Sequence, residues 1–155
     1  MGIASDAGKL CTSLEDECEG AAALAASRIY TGWMARILVV EDELTISATV
    51  AEWLAEVGHT VIGPAADIES ALTLLAEKGA DMALIDVSLA GAPVGLGLAE
   101  MLQAQRVPFA FLTGYSVTLF PVALRDRPRL EKPFGRDQLL SVIDQLITMP
   151  TVRNF

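Results

Sequence analysis

The sequence predicts an α/β fold, a doubly wound sheet of five parallel strands with helices on both faces. Two observations lead to this prediction. From about residue 34 onward, short β-branched runs alternate with stretches in which apolar residues recur every three or four positions. The strand-like runs are also largely apolar, as expected of strands that helices cover on both faces.

The first β/α unit ends at Gly58, a residue type that readily adopts the left-handed conformation found after helices. Its strand is predicted at Arg36–Val40 and is followed by the acidic residues Glu41, Asp42 and Glu43. A helix should follow, with an apolar face formed by Ile46, Val50, Leu54 and Val57.

The second and third units follow the same pattern. The second strand is predicted at about 59–62, before Gly63-Pro64, and its helix is capped by Asp67 and closed by Gly79. The third strand, at 81–87, is almost wholly apolar except for Asp86. A glycine-rich loop is expected at 90–97. Three residues of the helix after it should face the core, namely Leu98, Met101 and Leu102.

The last two units differ in their helices. The fourth strand is predicted at 108–112, and residues 115–126 contain Pro121, which should leave a short or mobile fourth helix. A fifth strand at 129–131 precedes Lys132-Pro133-Phe134. The final helix should stop before Pro150 and bury Leu139, Ile143, Leu146 and Ile147.

Composition limits the classes of function. A formal net charge of −9 and a pI of about 4.5 argue against direct binding of nucleic acid. No apolar run approaches the roughly 20 residues of a membrane-spanning helix, and the acidic N-terminus lacks the charge order of a secretory signal. We therefore expect a cytoplasmic protein without membrane contact, in which Cys11 and Cys18 are free thiols.

Residues 1–33 are rich in Gly, Ala, Ser and acidic side chains and show little periodicity. This predicts a flexible N-terminal extension at 1–33 and one domain at 34–155. Two explanations stay open, translation starting at Met34 or a short regulatory arm. No effector domain is expected after Phe155, so output should occur by protein contact or onward phosphotransfer.

Polar residues follow four of the predicted strands, and the ligand site of a doubly wound sheet lies at those strand ends. They are Glu41, Asp42, Asp86, Thr113 and Lys132. Singly, most have ordinary explanations as helix starts, turns or loops. Asp86 is the exception, because a carboxylate in so apolar a strand is costly to bury without partners.

Together these residues predict one chemistry. Three neighbouring carboxylates repel one another, and a hard divalent cation, Mg²⁺ or Mn²⁺, would relieve that repulsion and leave positions for phosphate oxygens. Asp86 could then attack phosphorus, while Lys132 and Thr113 contact other phosphoryl oxygens.

At this point the chain resembles the receiver domain of two-component response regulators, a flavodoxin-like fold. The resemblance covers about 36–148 and is carried by Ile-Leu-Val-Val-Glu-Asp-Glu at 37–43, Ala-Leu-Ile-Asp at 83–86, Thr113, and Lys132-Pro133-Phe134. It implies that Asp86 is the phosphoacceptor and that the Lys132-Pro133 peptide is cis. Its implied metal ligands are Glu41, Asp42, Asp86 and the backbone carbonyl of Ser88.

The resemblance also implies partners. A sensor histidine kinase or a histidine phosphotransfer protein would donate the phosphoryl group, typically at the first helix, and the protein would catalyse only its own phosphorylation and dephosphorylation. Phe111-Leu112-Thr113-Gly114-Tyr115 resembles the signature of the FAT GUY subgroup, with Leu112 in place of Ala. That subgroup is often paired with kinases of the HWE or HisKA2 type.

Two departures from the family pattern concern activation. Arg129 stands where the fifth strand usually carries an aromatic residue, and the stretch from Thr113 to Lys132 is short. The usual coupled movement of threonine and aromatic residue therefore cannot be carried over. We hypothesise instead that residues 115–126 become ordered when Thr113 turns toward the phosphoryl group.

Two other classes of protein share some of these features. A phosphatase of the haloacid-dehalogenase type also uses an aspartate nucleophile with magnesium, but it needs a second aspartate two residues on, where this chain has Ser88. A binding module with the same fold that works without phosphorylation is disfavoured by the intact set of Asp86, Thr113 and Lys132.

Overall fold

The computed structural model describes residues 34–149. The predictions about the two cysteines, the N-terminal extension and Pro150 lie outside the described residues. The domain boundary at residue 34 therefore stays a prediction.

Five parallel strands form one sheet in the order β2-β1-β3-β4-β5. They are β1 Arg36–Val40, β2 Thr60–Ala65, β3 Met82–Asp86, β4 Phe109–Thr113 and β5 Arg129–Glu131. The order changes direction at β1 and β3, which is the switch point where doubly wound sheets bind ligands. The predicted fold class is confirmed.

Four α-helices cover the two faces of the sheet in the described part of the chain. They are α1 Leu44–Glu56, α2 Ile68–Lys78, α3 Gly95–Ala104 and α4 Arg136–Thr148. Side chains of α1 and α4 share one apolar cluster with alternate residues of the strands, and side chains of α2 and α3 share the other. No helix among residues 34–149 is long and apolar enough to cross a membrane.

Local signals explain the ends of α1 and α2. A carboxylate oxygen of Asp67 accepts a hydrogen bond from the Ser70 N–H at 2.7 Å and so caps the start of α2. Gly79 ends α2 with a φ of 67°, and Gly58 follows α1 with a φ of 92°, both in the left-handed region that favours glycine. These predictions are confirmed.

The predicted short fourth helix is replaced by two 3₁₀ turns, at Val117–Leu119 and Val122–Leu124. Pro121 lies between them, because it has no N–H to continue a helical ladder. Buried side chains of Phe120 and Leu124 attach this segment to the core. The interruption of the helix was thus predicted correctly.

Three local predictions were wrong. β2 runs on through Gly63-Pro64 to Ala65, since β2 is an edge strand and edge strands tolerate a residue without an N–H. Gly95 and Gly97 belong to the first turn of α3 and not to a loop. Met101 is 43% exposed, because the inward face of α3 is formed by Leu98, Ala99 and Leu102.

Candidate functional site

The carboxyl ends of β1, β3 and β5 meet at a cavity of about 430 Å³. Its lining includes Glu41, Asp42, Asp86, Ser88 and Lys132. Each of these residues ends a strand or lies in the first residues after one, so parallel strand pairing alone brings them together. The predicted convergence is confirmed for Glu41, Asp42, Asp86 and Lys132.

Three carboxylates form the acidic part of this cavity. One oxygen from each of Glu41, Asp42 and Asp86 lies within 4.8 Å of the other two. Glu41 and Asp86 are buried, whereas Asp42 is exposed. A cluster of oxygen donors open to solvent on one side is the kind of site that a hard divalent cation prefers.

Lys132 reaches this cluster from the segment after β5. Its Nζ lies 2.6 Å from Oε2 of Glu41 and 3.0 Å from Oδ2 of Asp86. Burial alone would lower the pKa of Lys132, but the hydrogen bonds to Glu41 and Asp86 outweigh it and raise that pKa above its usual value. The side chain is therefore a fixed positive charge.

Backbone N–H groups hold the carboxylates in place. Oδ1 of Asp86 accepts a hydrogen bond from the Ser88 N–H at 3.0 Å, and Oε1 of Glu41 accepts one from the Glu43 N–H at 3.1 Å. Oδ2 of Asp42 accepts one from the Ala90 N–H at 2.9 Å, which ties the loop after β3 to the loop after β1. The acidic groups are thus oriented before any ligand binds.

The charges at this site do not balance. Three carboxylates face one ammonium group, which leaves two negative charges without a partner among these four groups. Burial raises the pKa of Glu41, while the hydrogen bonds from Lys132 and the Glu43 N–H work in the opposite direction. A bound divalent cation would offset both the burial and the mutual repulsion, so the donor set fits such an ion.

Thr113 is buried at the end of β4, beside the acidic cavity. Its hydroxyl oxygen accepts a hydrogen bond from the Tyr115 N–H at 2.8 Å. Thr113 and Tyr115 line a neighbouring cavity of about 560 Å³ that also includes Arg129. The hydroxyl is therefore engaged in the turn after β4 in this structure.

Sequence reasoning missed the role of Gly95. A Cβ atom at this position would lie 2.1 Å from the Asp86 carbonyl oxygen, a distance that no side chain can occupy. The Gly95 N–H also donates to the Val87 carbonyl at 3.1 Å. The only signal was a glycine nine residues after Asp86, which looks the same as a loop glycine.

Comparison with known proteins identifies one family that this chain matches. The family model described as response regulator receiver domain matches residues 37–144. Transcriptional regulatory protein PdtaR from Mycobacterium tuberculosis is 29% identical over 117 residues, which cover 73% of this chain and 57% of PdtaR. The chain spans about half the length of the curated relatives it matches.

Two solved structures are similar to this chain in both sequence and fold. The solution structure of SdrG from Sphingomonas melonis Fr1 is 34% identical with a TM-score of 0.65, covering 74% of this chain and 97% of SdrG. The response regulator PhyR from Brucella abortus is 27% identical with a TM-score of 0.68, covering 85% of this chain and 55% of PhyR.

Proposed function

The chain belongs to the response regulator receiver domain family, and on this premise we propose that it accepts a phosphoryl group on Asp86 from a histidine kinase. The observation that carries the proposal is the meeting of Glu41, Asp42 and Asp86 with Lys132 at the carboxyl end of one sheet. The proposed output is protein contact or onward phosphotransfer.

Asp86 is the proposed nucleophile. Its carboxylate is buried, is oriented by the Ser88 N–H and is bonded to Lys132 through the other oxygen. One carboxylate oxygen would form a bond to phosphorus as the bond between phosphorus and the donor's histidine nitrogen breaks. The Asp86 carboxylate loses its negative charge when it forms this bond, and the phosphoryl group brings negative charge in its place. That charge stays beside the Lys132 ammonium group.

The proposed metal is Mg²⁺, or Mn²⁺ in its place. Glu41, Asp42 and Asp86 would hold it, with the backbone carbonyl of Ser88 as a further ligand. When bound, the ion supplies positive charge that offsets the repulsion between a carboxylate and a phosphoryl group.

Lys132 and Thr113 are proposed to stabilise the phosphoryl group after transfer. The Lys132 ammonium is already at the acceptor, so it needs little movement to contact a phosphoryl oxygen. The Thr113 hydroxyl, which accepts a hydrogen bond from the Tyr115 N–H, would turn toward the phosphoryl group and donate its own proton to another oxygen. That movement links the phosphorylation state to the segment of the two 3₁₀ turns.

The proposed partner is a sensor histidine kinase or a histidine phosphotransfer protein. A largely apolar cavity of about 380 Å³ lies between α1 and the loop after β5, and Trp53, Pro133 and Phe134 are among its lining residues. This cavity is shared with Lys132, so a partner docked on α1 would be next to the acceptor site. These contacts support α1 as the docking face.

Finer assignments are also part of the proposal. The segment at 111–115 supports membership of the FAT GUY subgroup and pairing with kinases of the HWE or HisKA2 type. We propose that the protein works in the cytoplasm and turns over no external substrate beyond its own phosphoryl donor.

The test is incubation with acetyl phosphate, with and without Mg²⁺, followed by intact mass spectrometry. We expect a metal-dependent gain of one phosphoryl group that Asp86→Asn abolishes. Glu100→Gln, which replaces an exposed carboxylate on α3, serves as the matched control and should be modified normally. Metal-independent modification, or modification that survives in Asp86→Asn, would contradict the proposal, and release of many phosphates per molecule would favour a phosphatase.

A further inference from the structure

The apolar cavity beside α1 has the size of a small-molecule site. Its volume is about 380 Å³, and it lies between α1 and the segment that joins β5 to α4. Sites for small molecules usually have volumes of about 300–1,000 Å³ and mostly apolar walls with a few polar groups. The chemistry of the walls then decides which class of molecule fits.

The walls are mainly apolar and come from two separate parts of the chain. Ile46, Val50 and Trp53 lie at helical spacing along one face of α1, and Pro133 and Phe134 line the cavity from the segment after β5. Val50 is buried, whereas Trp53 and Phe134 are only half-buried. The apolar body of a ligand would therefore bury surface against both walls, with two aromatic rings among its contacts.

The charge that is free to bind a ligand here is negative. Glu43 lines the cavity as the N-cap residue of α1, yet its side chain makes no capping hydrogen bond. Its carboxylate also has no ion pair among residues 34–149. Lys132 lines the cavity too, but its ammonium group is already paired with Glu41 and Asp86 at 2.6 and 3.0 Å. An incoming charged group would therefore pair with Glu43.

The surroundings favour a cation for the same reason. The adjacent acidic cluster keeps two negative charges beyond the one that Lys132 offsets, and the whole chain has a net charge of −9. The faces of aromatic rings such as those of Trp53 and Phe134 attract cations. An anionic ligand would be repelled by Glu43 and by the acidic cluster.

We propose that this cavity binds a small organic cation, an amine that carries an aromatic or other bulky apolar body. The ammonium group would pair with Glu43, and the apolar body would lie between Trp53 and Phe134. An ammonium group has three N–H donors. The Thr49 hydroxyl, which also lines the cavity, donates its own proton to the Thr45 carbonyl at 2.7 Å and so presents an acceptor for one of them.

This inference goes beyond the proposed phosphotransfer and does not depend on it. The acidic cavity that contains Asp86 is separate, and the two cavities share only Glu43 and Lys132 among their lining residues. Amine binding and phosphorylation by acetyl phosphate can therefore be measured independently on the same full-length protein.

The test is an NMR titration of the isotope-labelled full-length protein with three probes, at saturating Mg²⁺ to keep amines away from the acidic cluster. The probes are phenylbutylamine, butylamine, which lacks the ring, and phenylbutyrate, which has the same body and the opposite charge. We expect saturable binding of phenylbutylamine, with shifts concentrated on α1 and residues 132–134. The other two probes should bind at least about tenfold more weakly, because each lacks one of the two required features.

Two variants locate the binding. Glu43→Gln, at an exposed position, should weaken phenylbutylamine binding about tenfold and remove the preference over phenylbutyrate. Thr49→Phe should fill the cavity and abolish binding of all three probes. Glu100→Gln removes the same charge from α3, on the other face of the sheet, and should leave binding unchanged.

Several outcomes would overturn the proposal. They are equal affinity for phenylbutyrate or butylamine, normal binding by Glu43→Gln, and shifts confined to the acidic cluster. Self-association detected by sedimentation and removed by Thr49→Phe would assign the cavity to a second copy of the chain. Phosphorylation of Asp86 without amine binding overturns this inference alone, whereas amine binding without phosphorylation overturns the proposed phosphotransfer alone.

Discussion

Lys132 and Glu41 are 91 positions apart in the sequence, yet the Lys132 ammonium lies 2.6 Å from Oε2 of Glu41 at the end of the sheet. The Glu41 side chain is fully buried and the Lys132 side chain is 20% exposed, so the pair is largely shielded from water. Asp86 shares the same ammonium group at 3.0 Å. One ammonium group therefore pairs with two buried carboxylates and leaves one of their two charges uncompensated.

Removing the Lys132 ammonium group should destabilise the fold. Lys132→Met leaves the carboxylates of Glu41 and Asp86 buried without their partner, and we expect a loss of about 3 kcal/mol in the free energy of unfolding. Urea titration measures the loss, and added Mg²⁺ should recover part of it. Arg136→Met, which breaks an exposed pair with Glu56, is the control and should cost less than about 1 kcal/mol. Equal losses in the two variants would contradict the assigned role of Lys132.

Asp42 should contribute to metal affinity more than to stability. It is exposed, and its carboxylate belongs to the acidic cluster. We expect Asp42→Asn to weaken Mg²⁺ binding about tenfold, because the site loses one anionic oxygen ligand. Calorimetric titration measures the affinity, and Glu43→Gln removes a neighbouring carboxylate outside the cluster as the control. A similar loss of affinity in both variants would show that Asp42 attracts the ion only through its negative charge and is not a metal ligand.

Gly95 and Gly97 form a matched pair in the first turn of α3. Gly95→Ala should destabilise the protein by about 2–3 kcal/mol, because the new methyl group would collide with the Asp86 carbonyl oxygen at 2.1 Å. Gly97→Ala meets nothing within 4 Å and should stabilise the helix by about 0.5–1 kcal/mol. Thermal unfolding of both variants checks the prediction, and a stable, normally phosphorylated Gly95→Ala would refute it.

His59, the chain's single histidine, should make stability depend on pH. Burial lowers its pKa below the usual value of about 6.5, and the charge of Asp144 offsets this only in part. The folded state thus binds the proton less well than the unfolded state, so stability is full above about pH 6.5 and declines as pH falls through the lowered pKa. Protonation would also remove the acceptor for the Ala35 N–H, which lies 3.3 Å from Nδ1.

The measurement is the urea midpoint at several pH values between about 5 and 7. His59→Asn keeps a neutral acceptor and should flatten the dependence in this range. If the urea midpoint of His59→Asn changes with pH as steeply as that of the unchanged protein, other groups cause the pH dependence.

Phosphorylation should change the segment of the two 3₁₀ turns. If Thr113 turns toward a phosphoryl group, the Tyr115 N–H loses the acceptor that it has at 2.8 Å. We therefore expect beryllofluoride with Mg²⁺ to alter amide hydrogen exchange over 115–126, and Thr113→Val to suppress that response. Exchange that stays the same with and without the mimic would rule out this coupling.

Local sequence signals were sufficient where the structure depends on neighbouring residues. Asp67 caps the start of α2 and Gly79 ends it, as predicted. Helix caps and left-handed turns depend on only a few neighbouring residues, so the local sequence is enough to predict them. β2 was predicted too short, since Gly63-Pro64 looks like a turn until its place at the edge of the sheet is known. Position in the sheet depends on distant residues, which a local pattern does not contain.

The same distinction applies to the site. Glu41, Asp86 and Lys132 could be placed together from sequence, because the carboxyl ends of parallel strands share one edge. The contact of Gly95 with the Asp86 backbone and the engagement of the Thr113 hydroxyl depend on side-chain packing and loop paths. No spacing rule in the sequence encodes them.

The bridge from Lys132 to Glu41 also has a consequence for biosynthesis. A polypeptide leaving the ribosome contains both acids long before it contains their shared ammonium group, which follows the final strand. The pocket therefore cannot assemble until translation of the domain is nearly finished. A chain that ends before residue 132 would contain both carboxylates without the ammonium group that pairs with them.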